Sequence, residues 1–402
     1  MNLPPSGKRI FLLLCLSLLL ASPAQAGDFA RSRIDRLLVN GGLLLEQNNT
    51  VIASRNPDQP LIPASIWKIA TALNALHTLG PDYRFVTNLY LDEDHTLYIQ
   101  GNGDPLLVSE EIDRIMTELA EGGIDRINDI ILDEDRFQLV GDADGAGNSN
   151  NPYDAANGAL AVNFNTVNVL VKKDHRICSA EPQTPTLPLM AELAARLPTG
   201  EHRINIGSNR KLILRHAGEL FRATQVRHHI SGEGQIRKGS TPKGAKPVLQ
   251  HRSGKDLRQL ISGMLLYSNN FTANQLFLAC GARRFGYPAT WQKGKKAMDE
   301  FLAGQLHLGP EAVTVEEGSG LSRKNRITIS AMRTVLTHFK PYSDLLPLHK
   351  GNRVKSGTLT GVYSYAGYLP QGNGLDSFVL ILNQSANNRD RLLEILTDLH
   401  KN

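Results

Sequence analysis

Between Ile66 and Leu76 the apolar positions Ile66, Ile69, Ala70, Leu73 and Leu76 recur at spacings of three and four, with Ala72 and Ala75 between them. That spacing predicts a buried helix which opens at Ser65 and is stopped by Leu79-Gly80. Upstream, 41–46 and 50–53 flank the polar Gln47-Asn48-Asn49 and read as a hairpin. From Arg84 the pattern changes to short strands, at 87–91, 96–100, 129–132, 167–171 and 211–214, with one helix at 109–119. Turn formers punctuate them at Gly101-Asn102-Gly103-Asp104-Pro105 and in the Gly- and Asn-rich 141–151. Helical spacing returns at 256–266 and 271–278, and strands at 361–369 and 377–383 read as a hairpin about Gln371-Gly372-Asn373-Gly374. A last helix over 390–400 carries Leu392, Leu393, Ile395, Leu396 and Leu399, a face suited to packing on a sheet rather than to anchoring in a membrane.

Length and composition add a frame. The 402 residues, 41% hydrophobic and 21% charged, suit about two packed domains of roughly 150 to 200 residues. Lys8 and Arg9 precede an apolar run, 10–20, and then Ala24-Gln25-Ala26, so 1–26 reads as an export signal and the mature chain is expected to start near Gly27. The run falls short of the roughly 20 residues of a spanning helix, and nothing later resembles one. The net charge of +5 becomes +3 without Lys8 and Arg9, which is too mild for a nucleic-acid partner. Much of the excess lies between Arg222 and Arg258, either a solvated loop or hinge or a basic surface for an anionic polymer. Cys15 falls in the signal; Cys178 and Cys280 are open to pairing or to remaining free thiols. No Cys-x-x-Cys or His-Glu-x-x-His spacing occurs, so no metal site is expected, and no cofactor.

Serine three residues before lysine on a helix puts an amine beside a hydroxyl, where it can take the proton of an attacking serine. The pattern occurs at Ser65/Lys68, Ser208/Lys211 and Ser240/Lys243, but only Ser65 opens an apolar helix. Serine-x-asparagine likewise occurs at Ser54, Ser149, Ser268 and Ser385; Ser268-Asn269-Asn270 stands apart as a polar break between two helical segments. Lys355-Ser356-Gly357-Thr358 precedes a strand and offers a fixed cation, a hydroxyl and a glycine that allows close approach.

In that order the three elements resemble the signature of penicillin-binding proteins and serine β-lactamases, with Ser356 in the place of the more usual threonine. Pro63–Lys68, 79–85, Gly101–Pro105, Ser319-Gly320-Leu321-Ser322-Arg323 and 355–367 narrow the resemblance to the class C low-molecular-mass proteins, the D-alanyl-D-alanine carboxypeptidase/endopeptidase family. The resemblance implies an α/β (α+β) fold. A transpeptidase-like domain, an antiparallel sheet flanked by helices, is expected over 27–85 plus 250–402, with a strand-rich inserted domain over 86–249. The insert lies within the 203 positions from Ser65 to Ser268 and is shorter than in the best-known members. It further implies Ser65 as nucleophile, Lys68 as base, Ser268 and Asn270 as relay and amide holder, and Lys355, Ser356, Gly357 and Thr358 as binders of the terminal carboxylate and oxyanion. Arg323 is expected at the rim of the site. The implied partners are peptidoglycan stem peptides and β-lactams as covalent inhibitors, in a periplasmic location. A β-lactamase or esterase of the same fold, with Glu316 or Glu317 as a deacylating carboxylate, and a non-catalytic wall-binding protein are the alternatives.

Overall fold

The computed structural model describes residues 31–147, 149, 151–372 and 374–401. The expected export signal and Cys15 lie outside them. Strands β1 (Gly41–Gln47) and β2 (Thr50–Arg55) form the first hairpin, turned by Asn48 and Asn49 at φ +51 and +64. Asparagine tolerates that left-handed region better than most residues. One 3-10 turn, Ala64–Trp67, carries Ser65 and leads into α1 (Lys68–Leu79), so the α-helix starts three residues later than the apolar spacing suggests. Every residue from Lys68 to Leu76 is buried, which explains why alanines fill the positions between the large apolar ones.

The next stretch contains β3 (Val86–Leu91), β4 (Leu97–Gln100), α2 (Ser109–Glu121), β5 (Ile130–Asp133), β6 (Thr166–Val171), β7 (Ile177–Ser179), α3 (Pro188–Ala194), β8 (Gly200–Asn205), α4 (Arg210–Arg227), β9 (Ile236–Lys238) and β10 (Leu249–Arg252). The strands make a sheet of order β10-β3-β4-β5-β9 and a smaller one of order β7-β6-β8. Crossovers through α2 and α4 make the β4–β5 and β5–β9 pairs parallel. The expected strand at 211–214 is instead the first turn of α4. Asn209 caps it by accepting from the Lys211 amide at 3.1 Å, and the run Leu212-Ile213-Leu214 continues helically into Ala217, Leu220 and Phe221.

The chain then forms α5 (Leu257–Tyr267), α6 (Asn270–Phe285), α7 (Trp291–Leu306), β11 (Val313–Thr314), β12 (Arg326–Ile327), α8 (Ile329–Phe339), β13 (Leu348–His349), β14 (Asn352–Leu359), β15 (Val362–Gln371), β16 (Gly374–Leu382) and α9 (Arg389–Lys401). The principal sheet is antiparallel, in the order β13-β14-β15-β16-β1-β2, so strands from the two ends of the described chain sit side by side. Both its faces are covered. Val379 and Ile381 point into a core shared with α1 and α5–α8, while Phe378, Leu380 and Leu382 meet α9 and the helix over 31–37. Burial on both faces accounts for the unbroken apolar run of β16, each such side chain contributing about 1.5–3 kcal/mol.

A separate core gathers Leu89, Ile99, Ile112, Leu132, Val169, Ile213 and Phe221, all between β3 and β9. On that partition we propose that 86–249 form an inserted domain, with β10, paired along β3, as its return. Cys178 and Cys280 are free thiols. Among the described residues no helix is long and apolar enough to cross a membrane.

Candidate active site

Ser65 and Lys68 lie at the mouth of the principal sheet, and the chain brings the other two elements to them from far away. Lys68 Nζ lies 3.1 Å from Ser65 Oγ, 2.7 Å from Asn270 Oδ1 and 2.7 Å from the Ser319 carbonyl. Ser268 takes φ +54 at the C-terminal end of α5, and Asn269 caps α6 by accepting from the Thr272 amide at 2.9 Å. This two-residue break between helices is what presents Ser268 and Asn270 together. Lys355 Nζ, from β14, donates to Ser268 Oγ at 3.1 Å and to the Ser356 carbonyl at 2.8 Å. Asn270 Nδ2 also donates to the Tyr153 carbonyl at 3.3 Å, which ties the inserted stretch to the site.

The two amines differ in their surroundings. Lys68 is fully buried, and loss of water, then repulsion from Lys355, hold its pKa well below the ordinary lysine value against an opposing pull from Glu317. A neutral amine has two N–H donors and a lone pair. The two closest partners, Asn270 Oδ1 and the Ser319 carbonyl, are acceptors only, so the lone pair is left to face the Ser65 hydroxyl. Lys355 is lowered to about 8, chiefly by burial and secondarily by Arg389.

Strand β14 runs against Ser65. A Cβ on Gly357 would lie 2.3 Å from Ser364 Oγ and 2.8 Å from the Ser65 nitrogen, so only glycine allows this approach. Ser364 Oγ donates to the Pro63 carbonyl at 2.6 Å and fixes the distance. Thr358 follows on the same edge, and its Oγ1 accepts from Arg389 Nη1 at 2.8 Å, as the Gly357 carbonyl does at 2.9 Å. Ser356 is half buried, and its hydroxyl has no protein partner among the described residues. Arg323 is exposed and donates to the Thr360 carbonyl, spanning the rim between the 319–324 loop and the β14–β15 turn.

Glu317 answers the question its sequence position raised. It is fully buried, and its two carboxylate oxygens accept from the amides of Ser319 (2.7 Å), Gly320 (2.7 Å) and Ser322 (3.2 Å), from Ser319 Oγ (2.6 Å) and from Asn325 Nδ2 (2.8 Å). It shapes the loop whose Ser319 carbonyl holds Lys68, and it has no lone pair facing a water in the cleft. Glu317→Gln exchanges an acceptor for an amide that faces donors, and should cost about 3 kcal/mol of stability. A chemical denaturation curve overlaying that of the wild type would refute this.

The other copies of the motifs lie elsewhere, in local structure. Ser240 Oγ donates to Asp135 at 2.5 Å, Ser149 Oγ to Asp154 at 2.5 Å, and Ser208 precedes the cap of α4. Two further groups shape the site: Glu317, singled out from the sequence only as a deacylating carboxylate, is instead a loop hub, and Arg389, a clamp on β14, is not among the residues singled out. Glu317 was legible only as a carboxylate near a Gly-Ser-Gly turn, and Arg389 carries no local signal.

The sequence model of the D-Ala-D-Ala carboxypeptidase 3 (S13) family matches residues 40–196 and 197–351. The chain belongs to that family. Among curated relatives, a D-alanyl-D-alanine carboxypeptidase of an Actinomadura species is 26% identical, over 92% of this chain and 85% of the relative. DacB of Haemophilus influenzae, a D-alanyl-D-alanine carboxypeptidase, is 23% identical over 83% of each. The crystal structure of penicillin-binding protein 4 from Haemophilus influenzae superposes with a TM-score of 0.75 at 21% identity, covering 92% of this chain and 98% of the other. A predatory peptidoglycan endopeptidase of Bdellovibrio bacteriovorus gives 0.54 at 15% identity, covering 90% and 92%. The fold is thus that of the penicillin-binding S13 proteins, inserted domain included.

Proposed function

We propose that this S13 enzyme hydrolyses the D-Ala–D-Ala linkage of peptidoglycan stem peptides, as carboxypeptidase or endopeptidase, through an acyl-enzyme on Ser65. The observation that carries the reading is the buried Lys68 amine, which is held at 2.7 Å by two acceptors with Ser65 Oγ 3.1 Å away. Ser65 Oγ attacks the carbonyl of the penultimate D-alanine and its proton passes to Lys68. The oxyanion sits between the Ser65 and Thr358 amides, a placement supported by the close approach of β14 to Ser65. Collapse of the tetrahedral intermediate breaks the C–N bond, and Ser268, bonded to Lys355, relays to the departing amine the proton that Lys68 took, which returns Lys68 to its neutral form. Water, giving a proton to Lys68, then attacks the ester, and that proton passes to Ser65 Oγ as the acid is released. Lys355 and Ser356 grip the terminal carboxylate, Asn270 holds the substrate amide, and Arg323 lines the rim.

β-Lactams fit the same steps as covalent inhibitors. Structures of the Haemophilus protein with a β-lactam, and of a Bdellovibrio endopeptidase acylated by penicillin G, support this. The occupied lone pairs of Glu317 favour slow release of a penicilloyl group over β-lactamase turnover. The signal-like 1–26 supports a periplasmic site of action. The deciding experiment follows the intact mass of the protein with benzylpenicillin, alongside D-alanine release from a short acyl-D-Ala-D-Ala peptide. One persistent adduct and steady D-alanine release are expected. Rapid penicillin turnover would favour the β-lactamase, and neither reaction would favour a wall-binding protein.

The pH profile is expected to be bell-shaped. The base form of Lys68 is needed, so the rate rises with pH through its lowered pKa. Lys355 must be charged, so kcat/KM falls as pH rises through about 8. Lys355→Arg should remove that alkaline limb, because guanidinium stays protonated throughout. An unchanged limb in this variant would assign it to another group.

A further inference from the structure

Far from Ser65, a cleft of about 320 Å³ opens between the principal domain and the five-stranded sheet, lined by Tyr83, Asn88, Asn102, Arg136, Arg252 and Tyr287 among others. Helices α1 and α6 start together where Lys68 meets Asn270, and the chain just beyond their other ends supplies Tyr83 and Tyr287. At 1.5 Å per residue these helices put the cleft on the order of 20 Å from the nucleophile. The registers Gln250↔Asn88 and Asn88↔Gln100 set three amide side chains in a row across one sheet face, whose opposite face buries Leu89 and Ile99. A merely solvated sheet face accounts for polar residues there. It does not account for the cations. The Arg136 guanidinium stacks on the Tyr287 ring at 4.6 Å, and among the described residues its only hydrogen-bond partner is Gln100 Oε1, at 3.2 Å. Arg252 is exposed and has neither hydrogen bond nor ion pair among the described residues. No carboxylate among the described residues lines the cleft, whereas nine arginines elsewhere, Arg55, Arg215 and Arg258 among them, are paired with one. Two uncompensated planar cations flanked by amides and tyrosine rings form a receptor for a carboxylate attached to a polar, amide-rich chain.

We propose that this cleft is a second contact for polymeric peptidoglycan and takes the carboxylate of a stem peptide neighbouring the one being cleaved. The proposal rests on the wall-substrate reading of the active site. A three-residue acyl-D-Ala-D-Ala substrate spans only about 10 Å, so it occupies the catalytic cleft alone, whereas a polymer reaches both. The cleft thereby gives the inserted domain a role in selecting polymer over free peptide.

The test uses the full chain with Ser65→Ala, which leaves the polymer intact, co-sedimented with purified sacculi. Adding Arg136→Gln and Arg252→Gln together should weaken sacculus binding by about tenfold and flatten its salt dependence. Sacculi stripped of stem peptides should bind both forms equally. In the Ser65 background, the paired substitutions should leave kcat/KM for the short peptide within about twofold, as expected for distant sites. Equal sacculus binding by the two forms overturns the proposal. So does a binding difference that persists on stripped glycan, which would assign the cleft to the sugar chain. Failure of the wild type to cleave the short peptide would count against the active-site reading alone, because sedimentation needs no turnover.

Discussion

Ser65→Ala protein, incubated with benzylpenicillin, keeps its unmodified intact mass and releases no D-alanine from a short peptide, while the wild type gains one adduct. The substitution removes a single hydroxyl whose side-chain contact is Lys68 Nζ at 3.1 Å, so the fold should be retained and the melting curve nearly unchanged. The result discriminates, because the site holds a second serine–lysine pair of equal length, Ser268 with Lys355. That pair is the weaker nucleophile in physical terms. Lys355, lowered to about 8, remains largely protonated at neutral pH and has no lone pair to offer, whereas complete burial holds Lys68 well below the ordinary lysine value. An adduct surviving in Ser65→Ala would transfer the nucleophile to Ser268 and reverse the roles of the two amines.

Lys68→Met should slow acylation by about a thousandfold, the middle of the range for removing a positioned base. Methionine matches the length of the stem and belongs in a site with no exposure, so the variant should fold. Its cost is the donor lost to Asn270 Oδ1 and the Ser319 carbonyl, offset in part by no longer burying an amine. The sharper readout is pH. The rising acid limb of the wild type reports Lys68 losing its proton, and the residual activity of Lys68→Met should lack that limb. Acylation followed by a fluorescent penicillin measures both. A thousandfold loss with the acid limb intact would make Lys68 a positioning residue and place the base elsewhere.

The parts of this protein that were legible in its sequence are those governed by neighbours along the chain. The apolar spacing after Ser65 gave the central helix because that helix is buried on every side, and the β15–β16 hairpin followed from two apolar runs about a glycine turn. The three triplets that the fold brings together were readable as a set because each is a short local geometry: a turn into a helix, a break between helices, a stretch of strand. Where the reading failed, a local signal was ambiguous. Leu212-Ile213-Leu214 suits a buried strand as well as a helix, and only Asn209 and the later spacing of Ala217 and Phe221 decide it. Arg389 was invisible for another reason. Its hydrogen bonds to Gly357 and Thr358 exist only once α9 is laid against the principal sheet, and no spacing along the chain encodes that docking.

The side-by-side placement of the first and last strands has a consequence for biosynthesis. Ser65 and Lys68 emerge early from the ribosome, yet Asn270 follows 202 residues after Lys68, and Ser364, which bonds to Pro63, comes 301 residues later. Contacts so distant in sequence form late in folding. Until β14–β16 are made and have closed on β1, the serine has a lysine beside it but no strand to seat a carboxylate or hold an oxyanion. A nascent or partly folded chain is therefore chemically silent, and the hydrolase switches on only when its final hairpin is in place.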